Sequence, residues 1–178
     1  MINHSLYVFE GVDGTGKTTL AKAFAQKING QYYKGLPKRL KPFKNFVDKS
    51  MPAKIRYLFY SLGNKIVYKE VAELLKFQDV VVDQYVYCTV AFHTVSLNKK
   101  LKKTSPKIVP EKIIYLTASW DEIDKRLNER GGRKKLEDLD YLKNVDLAYR
   151  EILKDLPNVT YLNTEGKSIE ENIKEIIE

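Results

Sequence analysis

The sequence has little cysteine and no long apolar segment, and each absence excludes a class of protein. Cys88 is the single cysteine among 178 residues, so the chain cannot form an internal disulfide, and we expect a cytoplasmic protein. No apolar run approaches the roughly 20 residues of a membrane-spanning helix. The first apolar segment leads directly into a glycine-rich loop, which does not fit a signal peptide. Because apolar residues still make up 43% of the chain, we expect one folded domain over residues 1–178.

Acidic residues are outnumbered, and the net charge of +8 has two interpretations. A basic chain can bind nucleic acid, or it can bind polyanionic nucleotides. Much of the excess lies in residues 34–44 and 98–107, which read as proline-containing connections rather than as a recognition helix. We therefore interpret them as solvated loops that help to attract an anionic ligand, and nucleic acid is the less favoured partner.

Short apolar runs alternate with helical patterns along the chain. The predicted strands are residues 5–10, 30–35, 78–83, 112–117 and 159–163. The predicted helices are residues 18–28, a long helix starting near residue 50, and residues 85–97, 119–129, 139–154 and 168–177. For the long helix we expect Ser50 as the N-cap and Pro52 in the first turn. Its apolar stripe is Ile55, Leu58, Phe59, Leu62, Ile66, Val71, Leu74 and Leu75. This order predicts an α/β fold with a parallel sheet covered by helices on both faces.

The first predicted strand runs into a phosphate-binding pattern, GxxxxGKT, which precedes a predicted helix. Glycines allow successive backbone N–H groups to surround phosphate oxygens, and the helix adds its positive N-terminus. The expected nucleotide-binding residues of this loop are Gly11, Val12, Asp13, Gly14, Thr15, Gly16, Lys17 and Thr18. Lys17 is suited to the β- and γ-phosphates and Thr18 to Mg²⁺. The pattern predicts binding of ATP or GTP with magnesium.

The third predicted strand ends in a carboxylate, Asp83. Because the carboxyl ends of parallel strands share one edge of the sheet, Asp83 is expected beside the phosphate loop. There it would hold Mg²⁺ or the water molecules around it, together with Thr18. We therefore predict Lys17 and Asp83 as catalytic residues, and Thr18 and Asp83 as metal ligands.

Beyond the phosphate loop, four segments resemble the thymidylate kinase family. FEGVDGTGKTT (9–19) is more specific than a general phosphate loop. LFYSLGNKIVYKEV (58–71) resembles the substrate helix of the family, and DQYVYCTVAFH (83–93) its Asp-Arg-Tyr segment. Residues 126–152 resemble its lid and the helix that follows, and NVTYLNTEGKSIEENIKEI (158–176) resembles its last strand and helix. The resemblance implies a five-stranded parallel sheet in an α/β/α domain, transfer of the γ-phosphoryl of ATP to dTMP with Mg²⁺, and a homodimer.

The resemblance also implies residues that bind the acceptor nucleotide. Asp13 would bind the deoxyribose 3′-hydroxyl, which fits a carboxylate that would repel the ATP phosphates. Phe59 would stack on the base, although an apolar stripe also suits ordinary core packing. Tyr85, Thr89 and His93 are spaced to share one helix face. Thr89 and His93 would read the base edge, or else be polar groups satisfied by the backbone.

The resemblance implies a basic lid around residues 126–137. Some members of the family carry an arginine in the phosphate loop where this chain has Gly14, and others place the positive charge in the lid. Here Arg130 and Arg133 are the candidates for neutralising the transferring group, with Arg126 nearer the ATP base. Glu137 matches the acidic residue just past the lid.

Two departures leave the acceptor open. The arginine that clasps the acceptor phosphate in the family is Gln84 here, and a second phosphate-binding arginine is replaced by Gly63. Lys65, Arg56 or a lysine of residues 34–44 would have to substitute, without the fork geometry of arginine. Three hypotheses follow: a divergent thymidylate kinase with altered monophosphate choice, a nucleoside kinase that phosphorylates a 5′-hydroxyl, and a non-catalytic relative that binds nucleotide or nucleic acid.

Overall fold

The computed structural model describes residues 4–101, 106–130 and 138–178. The strands are β1 (Leu6–Glu10), β2 (Gln31–Lys34), β3 (Val80–Asp83), β4 (Lys112–Thr117) and β5 (Val159–Asn163). The helices are α1 (Lys17–Lys27), α2 (Lys41–Ser50), α3 (Ala53–Leu74), α4 (Val86–Ser96), α5 (Trp120–Glu129), α6 (Leu139–Leu153) and α7 (Ile169–Ile177). All five predicted strands are confirmed, and they form one parallel sheet in the order β2-β3-β1-β4-β5.

Side chains of the central strands alternate between two apolar clusters, one on each face of the sheet. On β1, Leu6 and Val8 enter the cluster that includes α3, α4, α5 and α6. Phe9 enters the other cluster, which includes α1 and α7. Successive strand side chains point to opposite faces, so apolar runs without polar alternation are buried on both sides. The predicted three-layer α/β/α fold is confirmed.

The strand order reverses at β1, since β2 and β3 lie on one side and β4 and β5 on the other. In parallel sheets the crevice outside the carboxyl ends of strands at such a point is the usual ligand site. Phe9 on β1 pairs with Asp83 on β3, so the phosphate loop that follows β1 lies next to the end of β3.

The expected start of the long helix is wrong. Ser50 is the last residue of α2, a helix that the sequence pattern did not predict, and Pro52 is the N-cap of α3. Met51 between them is extended, because a residue that precedes proline is driven from the helical region. Phe43 and Phe46 on α2 are exposed and only Val47 is buried, so α2 lacks the wide apolar stripe that identifies a core helix.

The predicted apolar stripe of α3 does not face the core along its whole length. Val67 and Val71 are buried, whereas Ile55, Leu58 and Leu62 are 45%, 62% and 53% exposed. The first half of α3 therefore presents an apolar face to its surroundings. Among the described residues no helix, α3 included, has both the length and the apolar character needed to cross a membrane.

Candidate functional site

The phosphate loop, residues 11–16, passes close to β4 and α5. Gly11 has a φ of 140°, and a Cβ there would lie 2.6 Å from the carbonyl oxygen of Leu116. Gly14 has a φ of 92°, and a Cβ there would lie 3.0 Å from the Ile123 side chain. Position 14 therefore has no room for an arginine, and positive charge for the transferring phosphate must come from elsewhere.

Lys17 is buried at the start of α1, with its ammonium folded back over the loop. Its Nζ donates to the carbonyl oxygen of Val12 at 2.7 Å and lies 3.7 Å from Asp13 Oδ1. Only 5% of Lys17 is exposed, so the charge is directed into the ring of loop backbone rather than into bulk water. A phosphate bound in the loop would therefore lie close to this charge.

Asp83 is fully buried, and one of its oxygens accepts from three side chains. Oδ2 accepts from Thr18 at 2.6 Å, from Tyr32 at 2.9 Å and from Lys34 at 2.5 Å. Burial alone would raise the pKa of Asp83, but the Lys34 ammonium, the hydrogen bonds from Lys34 and Thr18, and the charge of Lys17 lower it below its ordinary value. Asp83 is therefore an anion at neutral pH.

Thr18 and Asp83 fit a magnesium site. A hydroxyl and a carboxylate are the hard oxygen ligands that Mg²⁺ prefers. Asp83 Oδ1 is buried and has no hydrogen-bond partner among the described residues, so it is a spare acceptor for a metal or its water.

Tyr32 was not among the predicted site residues, and Lys34 was included only as one of the lysines of residues 34–44 that could replace the missing arginines. Both lie on the edge strand β2, two residues apart, and Lys34 pairs with Asp83 in the parallel register. Gly35 allows this approach, since a Cβ there would lie 1.6 Å from the Gln84 carbonyl oxygen. The alternation of side chains along β2 places Tyr32 and Lys34 on the same face of the strand. Their closeness to Asp83 can be predicted only if β2 is known to lie next to β3.

Arg126 lies on α5 beside the phosphate loop. Its guanidinium donates to Glu122 at 2.7 Å and to the Thr164 hydroxyl at 3.1 Å. It lines a cleft of about 260 Å³ together with Thr15, Gly16, Thr19, Leu20, Thr164, Lys167, Ile169 and Asn172. Arg130 is exposed immediately after α5. Arg133 and Glu137 lie outside the described residues.

The predicted base-reading residues meet the first half of α3. Thr89 Oγ1 accepts from Asn64 at 3.0 Å, and His93 Nδ1 lies 2.8 Å from the Thr89 carbonyl oxygen. The His93 ring contacts the rings of Tyr57 and Tyr60, whose centroids are 5.4 and 5.7 Å from its own. Burial lowers the pKa of His93, so the ring is neutral at pH 7. Its Nδ1 then donates to its own helix, which leaves Nε2 as an acceptor.

Phe59 and Tyr85, the other aromatic residues predicted to bind the acceptor nucleotide, do not lie beside His93 in the same way. Phe59 is partly exposed, and its ring lies edge-on to Tyr60 at 5.3 Å. The predicted common face of Tyr85, Thr89 and His93 is wrong, because α4 begins only at Val86 and Tyr85 is extended. Tyr85 is buried beside the rings of Tyr68 and Tyr87 instead.

The two positions without arginine differ in their surroundings. Gln84 has a φ of 69°, the left-handed region. A Cβ on Gly63 would be 3.5 to 3.7 Å from the side chains of Leu36, Pro37 and Leu40, which is ordinary contact. Gly63 therefore does not leave space for a substrate, because Leu36, Pro37 and Leu40 pack against it.

Comparison with known proteins shows which family the chain belongs to. The model of the family described as thymidylate kinase matches residues 9–176. The chain belongs to the thymidylate kinase family. A probable thymidylate kinase of Methanococcus aeolicus is 30% identical over 96% of this chain and 92% of its own length. A probable thymidylate kinase of Methanocaldococcus jannaschii is 28% identical over 99% of this chain and 96% of its own length.

Solved structures share the fold at lower identity. Thymidylate kinase from Candida albicans superposes with a TM-score of 0.78 at 19% identity, over 98% of this chain and 89% of that one. Deoxyadenosine kinase from M. mycoides with bound dATP superposes with a TM-score of 0.73 at 18% identity, over 98% of this chain and 97% of that one. Nucleoside kinases thus share the fold, whereas the sequence matches assign this chain to the thymidylate kinase family, whose members are nucleoside monophosphate kinases.

Proposed function

We propose that this kinase transfers the γ-phosphoryl group of ATP to dTMP, with Mg²⁺ bound beside the phosphates of the donor. One observation carries the assignment: the phosphate loop with its buried Lys17 opens onto the cluster of Asp83, Thr18 and Lys34. Phosphoryl transfer needs positioning and charge neutralisation rather than covalent chemistry from the protein. This cluster and loop contain the groups for both tasks.

On the donor side, the backbone N–H groups of the loop and Lys17 would bind the ATP phosphates. Thr18 and the ionised Asp83 would hold Mg²⁺, which when bound neutralises charge on the phosphate oxygens. Arg126 and the cleft it lines would receive the base of ATP. Arg130 and Arg133 remain proposed lid cations.

On the acceptor side, Lys34 would supply the cation that positions 63 and 84 lack. The Lys34 side chain is 36% exposed while its ammonium contacts Asp83, so the residue is partly accessible to a ligand. A lysine binds phosphate as a point charge and not as a fork. Asp13, Phe59, Thr89 and His93 would hold the sugar and the base, and a neutral His93 with a free Nε2 suits a base that offers an N–H.

The missing arginines favour a second candidate, a nucleoside kinase with a 5′-hydroxyl acceptor. Such a reaction needs no clasp for an acceptor phosphate, which suits Gln84 and Gly63. Lys34 favours the monophosphate, because a cation attracts a phosphate and does not deprotonate a hydroxyl.

ADP release distinguishes these candidates. The purified chain is incubated with Mg²⁺-ATP and, separately, dTMP, thymidine, dUMP, dCMP, dAMP and dGMP. We expect dTMP to give the largest kcat/KM and thymidine little turnover. A preference for thymidine would establish the nucleoside kinase instead.

We further propose that two chains pair through the exposed apolar face of α3. Ile55, Leu58 and Leu62 recur at helical spacing, and a face of this kind is typical of a protein interface. Leu58→Glu should convert a dimer to a monomer in light scattering, whereas Phe77→Glu, at another exposed apolar residue, should not. A wild-type monomer at micromolar concentration would contradict the pairing.

Nucleic acid remains the less favoured partner. Several cations of the two lysine-rich stretches are paired within the chain: Arg39 with Glu70, Lys44 with Asp48 and Lys100 with Glu151. Salt-dependent retardation of random oligonucleotides without nucleotide turnover would support the non-catalytic alternative.

A further inference from the structure

Glu10 is a carboxyl group enclosed in the core, at the last residue of β1 and directly before the phosphate loop. None of its surface is exposed. A buried carboxyl is costly unless its oxygens are hydrogen-bonded. Each of its contacts therefore indicates what the residue holds in place.

One oxygen of Glu10 caps the start of α4. Oε1 accepts from the backbone N–H of Tyr85 at 2.9 Å and from that of Cys88 at 3.3 Å. The first amides of a helix have no acceptor within the helix, and Tyr85 at the N-cap provides no side-chain bond of its own. Glu10 thus supplies, from another strand, the acceptor that a capping serine or aspartate would supply locally.

A second contact from β1 holds a strained turn just before α4. Gln84 lies in the left-handed region, which is unfavourable for a residue with a side chain and persists only where its surroundings impose it. Its backbone N–H donates to the Phe9 carbonyl oxygen at 3.0 Å. β1 therefore fixes residues 83–88 through two consecutive residues, Phe9 and Glu10.

The second oxygen of Glu10 connects to α6. Oε2 accepts from the hydroxyl of Tyr149 at 2.8 Å, and Tyr149 is also fully buried. A single carboxyl thus joins the strand before the phosphate loop, the first turn of α4 and the helix that follows residues 131–137.

We propose that Glu10 is a positioning residue for phosphoryl transfer: through the amides of Tyr85 and Cys88 it fixes the acceptor end of α4 against the phosphate loop. The role rests on the proposed function, because Gln84 lies just before that end of α4 and Thr89 lies in its first turns. Glu10 itself contacts no substrate. It sets the distance between the donor and acceptor groups, a quantity to which transfer rates are sensitive.

Three variants separate this role from simple stabilisation. Glu10→Gln keeps an oxygen acceptor for both amides, and its NH₂ group can donate to the Tyr149 oxygen. Glu10→Ala removes the cap. Tyr115→Phe is the matched control, because it removes a partly buried hydrogen bond to Asp146 at 2.7 Å while keeping the ring that packs on Tyr149 and leaving the Glu10 hydrogen bonds in place.

Equilibrium binding of dTMP and of ATP, each measured alone, gives the first readout. Glu10→Ala should weaken dTMP binding about tenfold or more, as expected for loss of a buried hydrogen-bonding acceptor. ATP binding should change less, and Glu10→Gln should restore dTMP binding to within about threefold of the wild type. Tyr115→Phe should leave the ratio of the two affinities unchanged.

Hydrogen exchange at the amides of Tyr85 and Cys88 gives the second readout. Both should exchange faster in Glu10→Ala than in Tyr115→Phe. If Glu10→Ala does not fold, Tyr149→Phe replaces it and should weaken dTMP binding more than ATP binding. An equal loss of affinity for dTMP and for ATP in Glu10→Ala would overturn the positioning role. Failure of Glu10→Gln to restore dTMP binding would also overturn it. If the chain binds another monophosphate in place of dTMP, the proposed function is revised and the role of Glu10 is not. The affinities of the variants for that monophosphate and for ATP are then compared in the same way.

Discussion

Glu10→Gln should change how the stability of this kinase depends on pH. Burial raises the pKa of Glu10 from 4.5 to about 8, and the hydrogen bonds from Tyr85 and Tyr149 and the charge of Lys17 only partly oppose it. The folded chain therefore binds this proton more tightly than the unfolded chain does. The resulting stability is complete below about pH 4.5 and is lost as the pH rises through about 8.

The size of the effect follows from the interval between the two pKa values. At about 1.4 kcal/mol for each pH unit, that interval corresponds to about 5 kcal/mol in total, of which about 3 to 4 kcal/mol falls between pH 5 and 8. Glutamine has no proton to lose, so the free energy of unfolding of Glu10→Gln minus that of the wild type should increase by this amount over the range. Cys88 and Tyr149 lie near Glu10, but burial raises the pKa of Cys88 to about 12 and that of Tyr149 well above its ordinary value, so neither titrates between pH 5 and 8.

Urea denaturation at half-unit steps from pH 5 to 8 measures this difference. Glu73→Gln is the control, because the Glu73 side chain is 69% exposed and its replacement should give a nearly constant difference. Parallel curves for Glu10→Gln and the wild type would show that Glu10 is ionised throughout, and would refute the reasoning from burial.

Lys17→Met should reduce kcat by on the order of 100- to 1,000-fold while circular dichroism stays unchanged, since removal of one preorganised charge donor has this cost; retained turnover would contradict the phosphate-loop role. Lys34→Met should raise the KM for dTMP about tenfold through loss of a charge-assisted hydrogen bond, whereas Lys38→Met on the same segment should not; equal KM values in the two variants would contradict the role of Lys34. Gly63→Ala should stabilise the chain by about 0.5 to 1 kcal/mol, because helix propensity improves and the new Cβ makes ordinary contacts. Gly63→Arg should destabilise it by about 1 to 3 kcal/mol in urea denaturation because it overpacks against residues 36–40; an unchanged midpoint would show that this segment moves aside.

The sheet and the phosphate loop could be predicted because their signals are local. Each strand is a short apolar run, and GxxxxGKT has a direct physical meaning without reference to distant residues. Helix α2 was missed because most of its apolar side chains are exposed, so it gives no core stripe. The outward face of α3 was read as part of the same stripe as its buried residues, because periodicity does not distinguish a core from an interface.

The site residues that were missed depend on pairings between strands. Lys34 and Tyr32 reach Asp83 only because β2 lies beside β3 in a fixed register. Glu10 belongs to the motif at residues 9–19, but its partners Tyr85 and Tyr149 are 75 and 139 residues away. The packing of Leu36, Pro37 and Leu40 against Gly63 is likewise not readable from the sequence, because these residues lie 23 to 27 positions away along the chain.

The central claim is that the loop and the Asp83 cluster together transfer a phosphoryl group to a nucleoside monophosphate. The most direct measurement is the initial rate of ADP release from Mg²⁺-ATP with dTMP against that with thymidine, in the wild type and in Lys17→Met. We expect release that requires dTMP and Mg²⁺, exceeds that with thymidine, and disappears in Lys17→Met. Release that is independent of dTMP, or unaffected by Lys17→Met, would contradict the account.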